Sequence, residues 1–216
     1  MVLLGCSPPC ASTISQTIEL NMSAAYTKTL EQIDHAHAQD PKTVTVQGQE
    51  IPHELHYANK MTKYLDLREP NASELLRLAV RAQHLRRWEV PRSSYPEGRA
   101  GYFAWRTAQS KRQADCVREI CLECGYPNSD ADRVAGLVRK EGMKTDGECQ
   151  VLEDVACLVF LNDSFDAFEK GQEEKKVVGI LRKTWGKMSG RGRELVWEIP
   201  MSERAKGLIT RALESG

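Results

Sequence analysis

The chain has 216 residues, 30 Lys+Arg against 30 Asp+Glu, and seven cysteines. That length suits one compact unit with a tail, and the balanced charge excludes a globally basic nucleic-acid binder while leaving room for a local cationic patch. No apolar run approaches the roughly 20 residues that span a bilayer, and no secretory signal accompanies the odd number of cysteines, so a cytoplasmic protein without a membrane partner is expected.

Residues 1–22 carry neither Lys nor Arg and no hydrophobic run of useful length; a disordered N-terminal extension is expected there. Residues 23–216 are expected to form a single all-α domain. A first amphipathic helix runs from Ser23, a natural N-cap, to Gln39, where Asp40-Pro41 stops it. Thr43 to Gln49 is the one strand-like stretch, so at most a minor β ribbon is expected near 43–50. A second helix spans Pro52 to Leu67, and a third opens at Ser73-Glu74 and ends near Trp88, before Pro91. Pro91 to Gly98 reads as a loop, followed by a long helix from Gly98 to Cys124 that Gly125 and Pro127 close. Further helical patterns fall at about 129–141, 148–163, 171–187 and 201–214. The expected fold is a compact bundle of seven to nine helices.

The run Val151 to Leu161 carries the strongest chemical signal. On a helix its apolar residues cover the whole circumference, yet Glu153 and Asp154 sit inside it. Burying an ionised carboxylate costs several kcal/mol unless a cation, a hydrogen-bond donor or a metal meets it. The third helix, with the loop and long helix after it, is a source of cations. At ideal periodicity Arg77, Arg81, His84 and Trp88 face away from the apolar arc, whereas Gln83, Arg86 and Arg87 turn back into it. Arg92, Arg99, Arg106, Lys111 and Arg112 come next, interleaved with Tyr95, Tyr102 and Trp105. Arg forks match phosphate oxygens and flat rings stack on bases, so this region suits a nucleotide or another phosphorylated compound. The competing expectation is structural: Arg86 or Arg87 neutralises Glu153 and Asp154, with both tryptophans as core fillers.

Other spacings carry less. Cys116, Cys121 and Cys124 match an iron–sulfur spacing, with Cys149 a fourth ligand, but they fall on a regular helix and read as core thiols. Cys157 likewise reads as core. His53 and His56, three apart beside Glu54, read as surface histidines, and His35 and His37 cannot share a helix face.

The stretches Arg81 to Ser93, Gly101 to Arg106 and Leu152 to Leu161 together resemble the domain-of-unknown-function family 4202, from about Met22 to the C-terminus. Its members are sometimes labelled glutamyl-tRNA synthetase-like, and Lys187-Met188-Ser189 is similar to the KMS loop of those enzymes. The chain lacks their His-x-Gly-His signature and alternating βαβ pattern, so synthetase activity is rejected. A more distant similarity is to the HD-type metal-dependent phosphohydrolases, which are all-α. That resemblance implies an HD-like architecture, with Gln83-His84 in place of the His-Asp pair, Asp154 as the late aspartate and Tyr57 in place of the first histidine.

Two chemistries are open to such a chain. In the first, His84 and Asp154 hold a divalent ion (manganese, iron, magnesium or zinc), Glu153 assists catalysis, and Gln83, Arg86, Arg87 and Arg92 hold the phosphate. In the second, the Arg and aromatic surface belongs to a non-catalytic binding domain for a nucleotide, RNA or a protein partner.

Overall fold

The structure, a computed structural model, describes residues 22–214, apart from the side chains of Ser164 and Ala167. The extension expected over 1–22 lies outside the described residues, Met22 apart. Among the described residues ten α-helices occur in chain order: α1 (Ala24–Ala38), α2 (His53–Arg68), α3 (Glu74–Arg81), α4 (Gly98–Glu123), α5 (Asn128–Arg139), α6 (Gly147–Val159), α7 (Phe165–Glu169), α8 (Glu174–Lys187), α9 (Gly190–Val196) and α10 (Glu203–Glu214). The count exceeds the seven to nine expected because the short α7 and α9 carry too few residues to show a period. The all-α class holds. A single antiparallel ribbon pairs β1 (Thr43–Val46) with β2 (Gln49–Pro52), and Gln47 and Gly48 both take positive φ, as a two-residue I′ hairpin turn requires. Among the described residues no helix is long and apolar enough to cross a membrane.

Helix α6 is the axis of the bundle, touching α2, α3, α5, α8 and α9. Its wall-to-wall apolar sequence is the cause: Leu152, Val155, Leu158 and Val159 are all fully buried. Asp146 starts it by accepting hydrogen bonds from the Glu148 and Cys149 amides, and Arg133 braces that cap by pairing with both Asp146 and Glu148. A π-helical turn, Phe160–Ser164, carries its direction on into α7. At the opposite edge Glu74 joins three elements, accepting from the Ser23 amide (2.6 Å), the Ser23 hydroxyl (2.7 Å) and the Tyr126 hydroxyl (2.9 Å).

Helix α3 ends at Arg81, about two turns before the expected stop near Trp88. The chain then turns sharply, with His84 (φ 66°) and Arg86 (φ 51°) both in the left-handed region. Such a conformation costs a non-glycine residue about 1 kcal/mol or more, and it persists only where packing enforces it. Leu85, wholly buried between them, is that anchor. A short 3₁₀ turn, Arg87–Glu89, comes next. Helix α4 clamps the whole segment: Gln109 donates to the carbonyls of Arg87 (2.9 Å) and Val90 (2.7 Å), Trp105 Nε1 to Val90 (2.9 Å) and Arg112 to Arg86 (2.8 Å). The start of α4 is itself held close to the preceding loop, since a Cβ on Gly101 would fall 1.9 Å from the Pro96 carbonyl oxygen.

His37 on α1 fixes the end of α3 from below. Its ring is fully buried, and Nε2 donates to the Arg81 carbonyl at 2.9 Å. Burial pushes its pKa below the ordinary 6.5, outweighing the upward pulls of that hydrogen bond, Glu54 and Asp34; Arg81 reinforces the depression. The unfolded chain therefore binds the proton first. Stability is expected to be complete above pH 6.5 and to fall as the pH drops below it, and His37→Gln should flatten that limb in thermal melts taken across the range.

Candidate functional site

The two carboxylates of α6 are both buried, as their apolar setting requires, but their partners are not the expected ones. Asp154 is 0% exposed and accepts from Arg68 Nε (2.8 Å), the Ser189 amide (2.8 Å), the Ser189 hydroxyl (2.5 Å) and Gln150 Nε2 (3.0 Å). Arg68 closes α2 and Ser189 caps α9, so this carboxylate ties three helices together. Glu153, its neighbour in the chain, faces elsewhere. Lys140 pairs with its Oε2, and Lys187 Nζ lies 3.2 Å from its Oε1. Burial pushes the Glu153 carboxyl up, but the two ammonium groups outweigh it and leave its pKa below the ordinary value. The neutralising role expected of Arg86 or Arg87 is therefore filled by Arg68, Lys140 and Lys187.

Glu153 forms part of the wall of a cavity of about 440 Å³. Five cations line it (Arg87, Arg106, Arg139, Lys140 and Lys187) against that single carboxylate. Tyr57, Tyr102, Trp105 and Phe160 supply aromatic surface, and Gln83, Gln109 and Gln113 supply buried amides. Arg87 lies on the Trp105 ring, 4.6 Å from its centroid, and Arg106 lies 5.8 Å from that of Tyr102. Neither makes an ion pair among the described residues; Glu89, the nearest carboxylate in sequence to Arg87, is taken by Arg112 and Arg86. Burial pushes the Arg87 guanidinium below its ordinary pKa, with Glu54, Tyr57 and Tyr102 acting against that trend. A partly desolvated cation with no ion pair among the described residues is an unusual arrangement, and it marks where an anion would be bound most favourably.

His84 completes the floor. Had α3 continued to Trp88, ideal periodicity would direct this ring away from the interior; the left-handed turn directs it inward instead. It stacks on Tyr57 (centroids 4.1 Å apart, planes 10° apart), and Nδ1 lies 3.3 Å from Glu54 Oε2. Burial lowers the His84 pKa to about 4, Arg87 adding to the depression and Glu54 opposing it, so the ring is neutral near pH 7. Glu54 is ionised: burial raises its pKa, but His53 and His84 together bring it down to about 2. With Nδ1 directed at Glu54, Nε2 is the ring nitrogen left for a ligand. Cys157 also lines the cavity, but burial and Glu153 push its thiol up to about 12, so it is a wall and not a nucleophile.

Of the residues singled out by sequence, Gln83, His84, Arg87 and Glu153 come together in this cavity. Asp154, Arg86 and Arg92 do not line it. Arg92 is occupied with the carbonyls of Tyr95 and Pro96, both at 2.8 Å, and Arg86 is 42% exposed in its side chain. His84 and Asp154, expected to share a metal, belong to no common group of ligands among the described residues. The group that is present joins Asp40, His53 and Glu54. Cys116, Cys121 and Cys124 all lie along or at the end of the unbroken helix α4, and burial pushes Cys121 up to about 12. Sequence reading missed Arg139, Lys140 and Lys187 as site residues, though the KMS-like Lys187-Met188-Ser189 was a signal. That turn delivers Lys187 to Glu153 and Ser189 to Asp154.

No curated protein and no solved structure gives a significant match to the chain. A family model does match, over residues 27–209, which is most of the length. The chain belongs to the family described as Domain of unknown function (DUF4202).

Proposed function

We propose that the cavity binds a phosphorylated compound with a flat ring, of which a nucleotide is the natural class. The observation that carries this is Arg87, a half-buried guanidinium on Trp105 with no ion pair among the described residues. Arg106, also without an ion pair among the described residues, lines the same space, and Arg139, Lys140 and Lys187, already paired with Glu141 and Glu153, would add to the positive field on a phosphate or polyphosphate. Tyr102 and Trp105 offer ring faces for a base, and the buried amides of Gln109 and Gln113 offer directional contacts. A cytoplasmic setting, reducing and rich in nucleotides, fits the five free cysteines among the described residues.

One observation favours a catalytic version. Glu54 beside His84 Nδ1 leaves Nε2 as a neutral base at the cavity floor, able to take a proton from a water attacking phosphorus. The similarity to HD-type phosphohydrolases would then extend to activity. The base, however, would be His84 itself, because both oxygens of Asp154 are engaged by Arg68, Ser189 and Gln150. The test is a thermal-shift panel of nucleoside mono-, di- and triphosphates, the parent nucleosides, ribose 5-phosphate and inorganic phosphate. Phosphorylated ligands should raise Tm and nucleosides should do so far less, with the effect lost in Arg87→Met. Phosphate release abolished by His84→Gln, with binding retained, would establish the catalytic version.

A further inference from the structure

Behind His84 lies a second cluster that the cavity does not use. Asp40 lies just beyond the end of α1, and His53 and Glu54 open α2 across from it. His53 Nδ1 is 4.0 Å from Asp40 Oδ2 and 3.8 Å from Glu54 Oε1, and one donor atom from each residue falls within 4.8 Å of the others. The Asp40 and Glu54 side chains are 2% and 7% exposed, whereas His53 is 34% exposed and opens the cluster to solvent.

Part of this arrangement is ordinary capping. Asp40 accepts from the Lys42 amide (2.9 Å) and the Glu54 amide (3.0 Å), which accounts for one bond to each of its oxygens. Glu54 is different. Its Oε2 is fully buried and faces His84 Nδ1 at 3.3 Å without a regular hydrogen bond, while its Oε1 faces His53 Nδ1 at 3.8 Å. Neither Asp40 nor Glu54 pairs with a Lys or Arg among the described residues, and two carboxylates over nine-tenths buried without such a partner suit a cation held between them and His53. We propose that Asp40, His53 and Glu54 bind one divalent transition-metal ion of the zinc, manganese or cobalt class.

The donor set and spacing fit. One imidazole nitrogen and two carboxylate oxygens are the ligands that zinc accepts, and a tetrahedral ion with bonds of about 2.1 Å places neighbouring donors about 3.4 Å apart. His53 need only swing inward by about half an ångström, which its exposure allows. Two carboxylates outweigh the modest repulsion that the positive end of α2 exerts on a cation. Three protein ligands leave a fourth position for water on the open side. Glu54 then spans two roles, one oxygen on the ion and the other beside His84, so the ion would fix the group that orients the cavity floor.

The site goes beyond the ligand-binding reading and is tested without any ligand. Untagged full-length protein, stripped with chelator, is titrated with Co²⁺ and followed by visible absorption and calorimetry. The expected result is one equivalent bound, with d–d bands of nitrogen and oxygen ligation and no thiolate charge-transfer band. His53→Ala, checked for native circular dichroism, should weaken binding at least tenfold. Absence of uptake, uptake unchanged in His53→Ala, or a thiolate band revealing cysteine ligation would each overturn the site.

Discussion

Asp154→Asn is expected to lower the stability of the protein by about 3–5 kcal/mol, a fall in Tm of roughly 10 °C for a chain of this size. The carboxylate is wholly buried and accepts four hydrogen bonds, two from Ser189 and one each from Arg68 and Gln150. An amide in its place aims an NH₂ at donors that have nothing to accept. It also leaves Arg68, whose side chain is 12% exposed, with Glu69 at 3.9 Å as its remaining carboxylate and a 3.3 Å hydrogen bond to the Ser189 hydroxyl. No neighbouring group can move in to help, because α9 is packed hard against the site: a Cβ on Gly192 would fall 2.6 Å from Asp154 Oδ1. Chemical denaturation compared with Glu153→Gln checks this. The Glu153 partners are lysines with 25% and 51% side-chain exposure, which water can solvate, so that variant should lose clearly less. Equal losses would mean that Asp154 is not the tie between α2, α6 and α9.

Arg87→Met should do the opposite to stability and the larger damage to binding. The guanidinium makes no ion pair among the described residues and is partly desolvated, with only the Trp105 ring and the field of Glu54 to offset that cost, so an apolar chain of similar length gives up little. Stability should stay within about 0.5 kcal/mol of the parent or rise. Affinity for a phosphorylated ligand should fall about 10- to 100-fold, the loss of a charge-assisted hydrogen bond worth about 1.5–3 kcal/mol. A side chain kept at the expense of stability is the mark of a functional residue. Salt should weaken binding to the parent protein more steeply than to the variant.

Much of this fold was legible in the sequence because its helices are long and well punctuated. Ser23, Ser73 and Gly125 act at the ends where capping chemistry places them, and Gln47-Gly48 turns the one ribbon. The apolar run around Glu153 and Asp154 correctly announced two buried carboxylates. Their partners were not legible, because Arg68 and Ser189 are brought to Asp154 from 86 residues upstream and 35 downstream, and no local pattern encodes that meeting. The end of α3 was missed for a related reason. Nothing in Ala82 to Arg86 discourages a helix; the turn there is imposed by Leu85 in the core and by the side chains of α4. That error mattered, since periodicity carried past Arg81 points His84 outward, whereas the left-handed turn puts it on the cavity floor. His53, read with His56 beside Glu54 as a surface histidine, lacked a further ligand in the local sequence, because Asp40 completes its group from across the ribbon.

The cavity beside Arg87 is proposed to hold an anion. Calorimetric titration of the nucleotide giving the largest thermal shift, into parent protein and Arg87→Met with tryptophan fluorescence followed in parallel, tests this most directly. One site per chain, altered tryptophan emission on binding, and at least a tenfold loss of affinity in a variant as stable as the parent are expected. Equal affinity in the two proteins, or no binding by any phosphorylated compound in the panel, would contradict the proposal.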